Sequence, residues 1–249
     1  MDQKKAISWG KFIKVAESMY APGKTNPTQP SRFPKGWKLV KNINAEAVVS
    51  FYNQKEFIGF VAQSLVEPQQ FAVVLHGTEG IVDFLDDFEF ELIDFYLLSD
   101  GGKTEYGFTK FYESFTFVDP ISGESQGLED YVKGLPETAS FSVAGYSLGG
   151  ALATLHAAVL GGRRIPVEAY LFGSPMVGNA AFVKTYNSLV RNSYRIVNQP
   201  DIVPKLPGAL LGYEHVHTIF EVNSLQFPQF KHSISSFHSL DVYLYCLKD

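Results

Sequence analysis

Residues 140–160 read SFSVAGYSLGGALATLHAAVL, and this stretch decides the fold. Its first part, Ser140 to Ala144, has the composition of a short buried strand, and the part from Gly150 onward has that of a helix. Between them lies the pentapeptide Gly145-Tyr146-Ser147-Leu148-Gly149, which has the pattern G-x-S-x-G. A serine on such a sharp strand-to-helix turn has its hydroxyl lifted above the sheet, and glycines allow the neighbouring backbone to approach closely. The stretch therefore predicts that Ser147 is a nucleophile in an α/β protein.

A second copy of the pattern, Gly123-Glu124-Ser125-Gln126-Gly127, serves as an internal control. It follows the turn-like residues 119–122, not a strand, and no small residues surround it. This context predicts that Ser125 is a solvated loop residue. For Ser147 the competing interpretation is a glycine-rich turn in an α/β protein of another function.

The composition is that of a globular protein with a sizeable core. The chain has 249 residues, of which 45% are hydrophobic and 14% aromatic, and no linker divides it, so a single domain over 1–249 is predicted. A net charge of −5 gives no electrostatic reason to expect nucleic acid as a partner. With one cysteine, Cys246, neither an intrachain disulfide nor a cysteine metal cluster is expected.

Two further absences bear on location. No run of 18 apolar residues occurs, so no transmembrane segment is predicted. The N-terminal residues carry positive charge without an apolar stretch behind it, so no ordinary signal peptide is expected. A cytoplasmic protein, or one exported without a cleaved N-terminal signal, is the expectation.

The hydrophobic patterns along the chain predict an alternation of strands and helices after an initial group of strands. A Pro- and Gly-rich arm is expected over 21–36. Helices are expected over 7–19, 108–117, 128–133, 150–160, 179–190 and 234–247, and strands over 47–52, 57–63, 71–75, 140–144, 167–172, 194–197 and 215–222. This order predicts a mixed, mostly parallel sheet with helices on both faces, with catalytic groups beyond the carboxyl ends of its strands.

A serine hydroxyl is a poor nucleophile at neutral pH and needs a base that a carboxylate holds in place. Asp201 directly follows a predicted strand, on a loop that neighbouring prolines stiffen. Two later histidines are candidates for the base: His238, which opens a helix-like segment, and His232, which lies in a more polar context. The residues alone leave both open.

Five segments in order resemble the class 3 lipases, the family of the fungal triacylglycerol lipases. They span roughly residues 70–245, and five ordered matches are far more specific than one pentapeptide. The segments are His76-Gly77-Thr78, Gly145–Ala151, Phe172-Gly173-Ser174-Pro175-Met176-Val177-Gly178-Asn179, Asn198-Gln199-Pro200-Asp201-Ile202-Val203-Pro204-Lys205-Leu206-Pro207 and Phe237-His238-Ser239-Leu240.

The resemblance implies an α/β-hydrolase fold and a Ser–His–Asp triad. Ser147 would be the nucleophile, His238 the base and Asp201 the orienting acid, which decides for His238 over His232. Thr78 and Leu148 would supply the backbone N–H groups of the oxyanion hole. Neither a metal nor an organic cofactor is implied.

The resemblance also assigns residues 80–87 to a short lid helix over an apolar cleft. Such an amphipathic flap can turn outward at a lipid–water interface. An ordinary core-facing helix is the alternative interpretation. The expected apolar side consists of Ile81, Phe84, Leu85 and Phe88, and Asp87 is expected to brace Thr78.

The chain departs from the family at two of these positions. Tyr146 stands where many relatives carry histidine, which should alter packing around the elbow, and Phe84 replaces the lid tryptophan of the fungal members, so the lid should dock more loosely. The resemblance implies a carboxylic ester hydrolase, with triacylglycerol lipase as the first expectation. An esterase or phospholipase of the same fold is the alternative, and a non-catalytic binding module is a further one.

The other histidines favour structural roles. His156 is expected to be a buried histidine of the elbow helix, and His76 to shape its loop. His215 and His217 have a spacing that can bind metal, but they lack a third ligand, so no metal site is predicted.

Overall fold

The computed structural model describes residues 1–46, 55–78 and 90–248. The strands of these residues are β1 (Trp37–Glu46), β2 (Lys55–Ser64), β3 (Gln70–Leu75), β4 (Leu92–Asp94), β5 (Lys103–Glu105), β6 (Thr116–Val118), β7 (Ser125–Gly127), β8 (Ser140–Tyr146), β9 (Val167–Phe172), β10 (Asn192–Asn198) and β11 (Ile219–Val222). The helices are α1 (Gln3–Met19), α2 (Tyr106–Glu113), α3 (Leu128–Lys133), α4 (Leu148–Gly162), α5 (Ala180–Leu189), α6 (Ile234–Phe237) and α7 (Leu240–Cys246). Short 3₁₀ turns cover Val203–Lys205, Ala209–Leu211 and Ser224–Gln226.

Nine of the described strands form one mixed sheet in the order β11-β10-β9-β8-β3-β2-β1-β6-β7. β3 and the strands from β8 to β11 run parallel to one another, and the strands on the other side of β3 pair antiparallel. The parallel block therefore sends the carboxyl ends of its strands to one edge of the sheet, where catalytic groups collect in α/β folds.

Helices cover both faces of the sheet, as the sequence predicts. The side chains of β8 alternate between two cores: Phe141 and Val143 pack with α2, α4 and α5, and Ala144 faces the core shared by α1 and α7. α4 is buried along almost its whole length because it lies between the sheet and its neighbouring helices. This packing fixes the start of α4, where the G-x-S-x-G turn lies.

Several predicted elements form with nearly the expected bounds. The helix predicted over 128–133 is α3, and the strand predicted over 167–172 is β9. The strand predicted over 47–52 lies outside the described residues. The preceding segment forms β1, which the patterns do not predict, because lysines and asparagines interrupt its apolar residues.

Four predicted elements are wrong in their bounds. The helix predicted over 7–19 begins at Gln3, because Asp2 caps it by accepting from the N–H groups of Lys4 and Lys5. The helix predicted over 108–117 ends at Glu113, because Thr116–Val118 pair with β1 instead. The strand predicted over 215–222 begins at Ile219. The helix predicted over 234–247 breaks into α6 and α7, because the backbone of Ser239, directly after His238, is extended, with φ −78° and ψ 127°.

Ser125 lies on β7 and not on a loop, so that expectation is wrong, although the residue is solvated as predicted. β7 is one of the two edge strands of the nine-stranded sheet and pairs with β6 alone. Among the described helices, none combines the length and apolar character that a membrane span requires.

Candidate active site

Ser147 lies on the sharp turn between β8 and α4. Its backbone has φ 58° and ψ −124°, a conformation that non-glycine residues rarely adopt. A β-carbon at Gly145 would lie 2.0 Å from the carbonyl oxygen of Gly149, and one at Gly149 would lie 2.4 Å from the carbonyl oxygen of His76. The glycines of the pentapeptide are thus required by close backbone contacts, which hold the strained serine in place.

The three predicted catalytic side chains meet in one hydrogen-bonded chain. His238 Nε2 lies 2.8 Å from Ser147 Oγ, and His238 Nδ1 lies 2.7 Å from Asp201 Oδ2. All three residues are buried. An imidazole held between a serine hydroxyl and a carboxylate can take the serine proton while the carboxylate stabilises the imidazolium. His232, the rival base, is exposed and packs against Phe237 instead.

Two donors besides the imidazole bind the Asp201 carboxylate. Tyr243 OH donates to Oδ2 at 2.6 Å, and the backbone N–H of Val203 donates to Oδ1 at 3.0 Å. Burial, and then the charge of Asp201, raise the pKa of Tyr243 far above its usual value, so the phenol stays protonated as a donor. A fully buried carboxylate needs such partners, because an unpaired buried charge is strongly unfavourable.

Gly173 and Asn198 lie against the segment that carries His238. Gly173 has φ 54°, and a β-carbon there would lie 3.1 Å from His238 Cε1, so a side chain at this position would press on the imidazole. Asn198 Nδ2 donates to the carbonyl of Phe237 at 2.8 Å and to Ser224 Oγ at 2.9 Å. The end of β10 therefore leads directly to Asp201 and, through Asn198, binds the segment that carries His238.

The turn after β3 lies directly against the serine. A β-carbon at Gly77 would be 3.0 Å from Ser147 Cβ, so residues 76–78 line the nucleophile. The hydroxyl of the adjacent Thr78 is buried and makes no hydrogen bond to the described part of the chain. Leu148 is the first residue of α4, so its N–H has no partner one helical turn back. Both predicted oxyanion residues thus stand next to Ser147.

Asp87 and the predicted lid residues Ile81, Phe84, Leu85 and Phe88 lie outside the described residues. The lid helix over 80–87 therefore stays a prediction. The next described residue is Phe90, whose backbone carbonyl accepts a hydrogen bond from Tyr213 OH at 2.9 Å.

The imidazole rings of three other histidines, His76, His156 and His215, have structural partners. His156 is fully buried with Nδ1 3.0 Å from Tyr112 OH, and burial lowers its pKa to about 3, so it stays neutral. His76 contacts backbone carbonyls through both ring nitrogens, and His215 Nε2 lies 2.5 Å from the carbonyl of Pro204. No cluster of metal-ligating side chains occurs within the described residues.

Sequence patterns do not single out three residues that support this site. Tyr243 resembles any other aromatic residue of the last helix, and nothing in its spacing points to Asp201. Asn198 stands in one of the quoted segments, but no pattern gives it a partner. Tyr146 departs from the family pattern, but no sequence pattern pairs it with His238. The structure places its ring on the imidazole of His238, with 5.0 Å between the ring centroids.

Comparison with known families agrees with this geometry. The family model described as lipase (class 3) matches residues 72–211, which is more than half of the chain. The chain belongs to the class 3 lipase family. The match begins in β3 and ends beyond Asp201, so it includes the turn with Thr78 and the elbow with Ser147.

Relatives of this class 3 lipase include plant and fungal enzymes. A phospholipase A1-IIalpha of Arabidopsis thaliana is 25% identical over 83% of this chain and 56% of its own length. A secreted mono- and diacylglycerol lipase 1 of Fusarium solani is 28% identical over 82% of this chain and 60% of its own length. The chain thus spans less than two thirds of the length of these relatives.

Solved structures of fungal lipases share the fold. A Rhizomucor miehei lipase in complex with its propeptide aligns over 98% of this chain and 76% of its own, with a TM-score of 0.65 and 22% identity. A lipase from Rhizopus microsporus var. chinensis aligns over 97% of this chain and 85% of its own, with a TM-score of 0.65 and 24% identity. The α/β-hydrolase fold expected from the sequence is confirmed.

Proposed function

We propose that this class 3 lipase hydrolyses carboxylic esters through an acyl-enzyme. The observation that carries the proposal is the hydrogen-bonded chain from Ser147 through His238 to Asp201. Ser147 Oγ attacks the ester carbonyl while His238 Nε2 takes its proton, and the Asp201 carboxylate stabilises the imidazolium. The N–H groups of Thr78 and Leu148 bind the oxyanion of the tetrahedral intermediate.

The intermediate collapses by breaking the bond to the alcohol oxygen, which receives the proton from His238. Water then enters, gives a proton to His238 and attacks the acyl carbon. The second tetrahedral intermediate releases the carboxylic acid, and Ser147 recovers its proton. Neither an oxidant nor a co-substrate other than water takes part.

Glycerides are the proposed substrates, with a lid over an apolar cleft and action at a lipid–water interface. The fungal relative that is called a mono- and diacylglycerol lipase supports this choice. The second candidate is a phospholipase that releases an acyl chain from a glycerophospholipid, and the plant relatives that are called phospholipase A1 favour it. Both candidates use the same chemistry on the same acyl ester bond.

Labelling with a fluorophosphonate ester tests the nucleophile. The native protein should take up one equivalent, and Ser147→Ala should take up none. Ser125→Ala is a matched control, because Ser125 occupies the same position of the second G-x-S-x-G pentapeptide but lies exposed on an edge strand. An unlabelled native protein, or label retained in Ser147→Ala, would overturn the proposal.

The substrate class is tested with esters of increasing acyl length, each assayed below and above its solubility limit. A jump in rate above the limit supports a lipase, and a smooth dependence supports an esterase. Parallel assays with a triacylglycerol and with phosphatidylcholine separate the two lipid candidates.

A further inference from the structure

An uncharged segment with an exposed apolar tip follows the loop that carries Asp201. The segment Leu206–Gly212 reads Leu-Pro-Gly-Ala-Leu-Leu-Gly and contains no charged side chain. Leu210 is as exposed as in an extended peptide, at 103%, and Leu211 is 53% exposed. We call residues 209–212 the apolar turn. Two adjacent leucines in water at the tip of a loop are unfavourable unless something covers them.

The base of this turn is held firmly, so the exposure of the leucines is built into the fold. Tyr213, directly after the turn, is fully buried, and its hydroxyl donates to the carbonyl of Phe90 at 2.9 Å. Before the turn, the carbonyl of Leu206 accepts from the N–H of Met176 at 2.8 Å. Glu214 N–H donates to the carbonyl of Gly178 at 2.9 Å. Anchors on both sides leave the leucines pointing away from the core.

The position of the turn ties it to the active site. Met176 and Gly178, to which its two ends bond, follow the carboxyl end of β9, and Asp201 follows the carboxyl end of the parallel neighbour β10. The turn therefore lies on the side of the sheet at which the triad lies. Two more exposed aliphatic residues flank the triad in sequence: Ile202 is 39% exposed, and Ile234 is 46% exposed. Ile234 lies one turn before His238, whose N–H donates to the Ile234 carbonyl at 3.0 Å.

We propose that the apolar turn, with Leu210 and Leu211 at its tip, is a contact surface for lipid, which seats the active-site edge on an uncharged or zwitterionic lipid surface. The inference rests on the proposed function in one respect, since it takes the substrate to be a lipid. The absence of charge over Leu206–Gly212, together with the net charge of −5, means that anionic headgroups would give no electrostatic gain. Apolar insertion is the contact that these residues can make.

The chain offers a matched control at the opposite edge of the sheet. Leu65 and Val66 form an exposed aliphatic pair, at 59% and 81%, in the turn that precedes β3. Because β3 runs from that turn toward Thr78, this pair lies at the end of the strand away from the triad. It matches the apolar turn in size and exposure but not in position.

The experiment measures partition onto phosphatidylcholine vesicles by co-sedimentation, in the Ser147→Ala background so that no substrate is consumed. The double substitution Leu210→Ser, Leu211→Ser should weaken partition at least tenfold, which corresponds to about 1.4 kcal/mol. Leu65→Ser with Val66→Ser should change it less than twofold. Equal binding by the apolar-turn variant, equal loss by the control, or no binding by the parent would each overturn the proposal.

Two further readouts separate this proposal from the alternatives. With Ser147 intact, the apolar-turn variant should hydrolyse a soluble butyrate ester within twofold of the native rate, because neither leucine belongs to the triad. If the native protein does not react with fluorophosphonate but the vesicle binding is as expected, the proposed hydrolase activity is wrong and the lipid-contact proposal stands. If sedimentation velocity shows a dimer that the double substitution dissociates while partition is unchanged, the turn binds a second copy of the chain, and the lipid proposal fails.

Discussion

Tyr146 and His238 are joined in two ways. The phenol donates a hydrogen bond to the backbone carbonyl of His238, and the two rings stack with an interplanar angle of 28°. On another side, the tyrosine ring lies against Gly77, where a β-carbon would be 2.9 Å from Tyr146 Cδ1. The residue before the nucleophile therefore connects the imidazole to the turn that carries Thr78.

Tyr146→Phe should lower kcat about fivefold with KM unchanged, because it removes a hydrogen bond of about 1 kcal/mol that orients the base. Tyr146→Leu also removes the stacked ring and should lower kcat further, to roughly a fiftieth of the native value. The measurements are steady-state kinetics on a soluble ester and the rate of fluorophosphonate inactivation, which should fall in parallel. Native kinetics in Tyr146→Leu would show that the contact does not position His238.

Tyr243 supports Asp201 in the same way from α7. Tyr243→Phe leaves one oxygen of a buried carboxylate without its phenol donor, and hydrogen bonds to charged groups contribute about 1.5–3 kcal/mol. We therefore expect kcat to fall about tenfold or more, while fluorophosphonate still labels the protein at a reduced rate.

The matched control for Tyr243→Phe is Tyr186→Phe. Tyr186 is also fully buried, and its hydroxyl lies 2.9 Å from Ser193 Oγ, away from the triad. Both variants should lose similar thermal stability, but Tyr186→Phe should keep its native kcat. Equal losses of activity in the two variants would show a general structural effect.

The sequence predicts the parts of this site that rest on local chemistry. A serine between small residues, at the junction of a strand and a helix, indicates a sharp turn, so Ser147 is singled out from the sequence, with a glycine-rich turn of another function as the alternative. Asp201 is found because it follows a strand. The choice between His238 and His232 depends on how the chain folds back onto β10, and the residues alone leave it open. The resemblance to class 3 lipases decides it, and the structure places His238 against Ser147.

Long-range partners are the part that the sequence does not predict. Tyr243 meets Asp201 across 42 positions, and Asn198 meets Phe237 across 39, with no spacing rule that links either pair. β1 is missed for a related reason, because the hydrophobic pattern does not anticipate its buried asparagines, Asn42 and Asn44. Asn42, for example, binds the carbonyl of Pro27 at 2.9 Å. The roles of the site residues, the lid and the cellular location stay predictions.

The two G-x-S-x-G pentapeptides allow a direct comparison of one substitution. Gly149→Ala would place a β-carbon 2.4 Å from the carbonyl of His76 and 2.5 Å from that of Leu75, so the elbow must shift. We expect a loss of about 3 kcal/mol or more in the free energy of unfolding, together with loss of activity. Chemical denaturation and ester hydrolysis are the measurements.

Gly127→Ala is the control, since Gly127 holds the same position in the second pentapeptide. A β-carbon there would meet nothing within 4 Å, and its φ of −72° suits any residue. Stability should stay within about 0.5 kcal/mol of native. Two equally harmless substitutions would mean that the tight elbow at Ser147 does not form.

A buried carboxyl outside the active site should make stability depend on pH. Glu105 is 1% exposed and caps α2 by accepting from the N–H groups of Gly107 and Phe108. Burial raises its pKa to about 7 from 4.5, and the two backbone donors offset this in part. Between about pH 4.5 and 7 the unfolded chain has released a proton that the folded chain keeps, so the free energy of unfolding falls as pH rises. Above pH 7 both states are ionised and the loss, of the order of 3 kcal/mol, is constant.

Glu105→Gln replaces this group by a neutral one of the same shape, so it should flatten the decline between pH 5 and 7. Urea unfolding at half-unit pH steps gives both curves, and the variant should be the more stable protein at pH 8. Glu129→Gln is the control, because Glu129 lies exposed on α3 and Lys133 lowers its pKa, which leaves no titration in this window. An unchanged slope in Glu105→Gln would mean that Glu105 is already ionised at pH 5 and that its two backbone donors outweigh its burial.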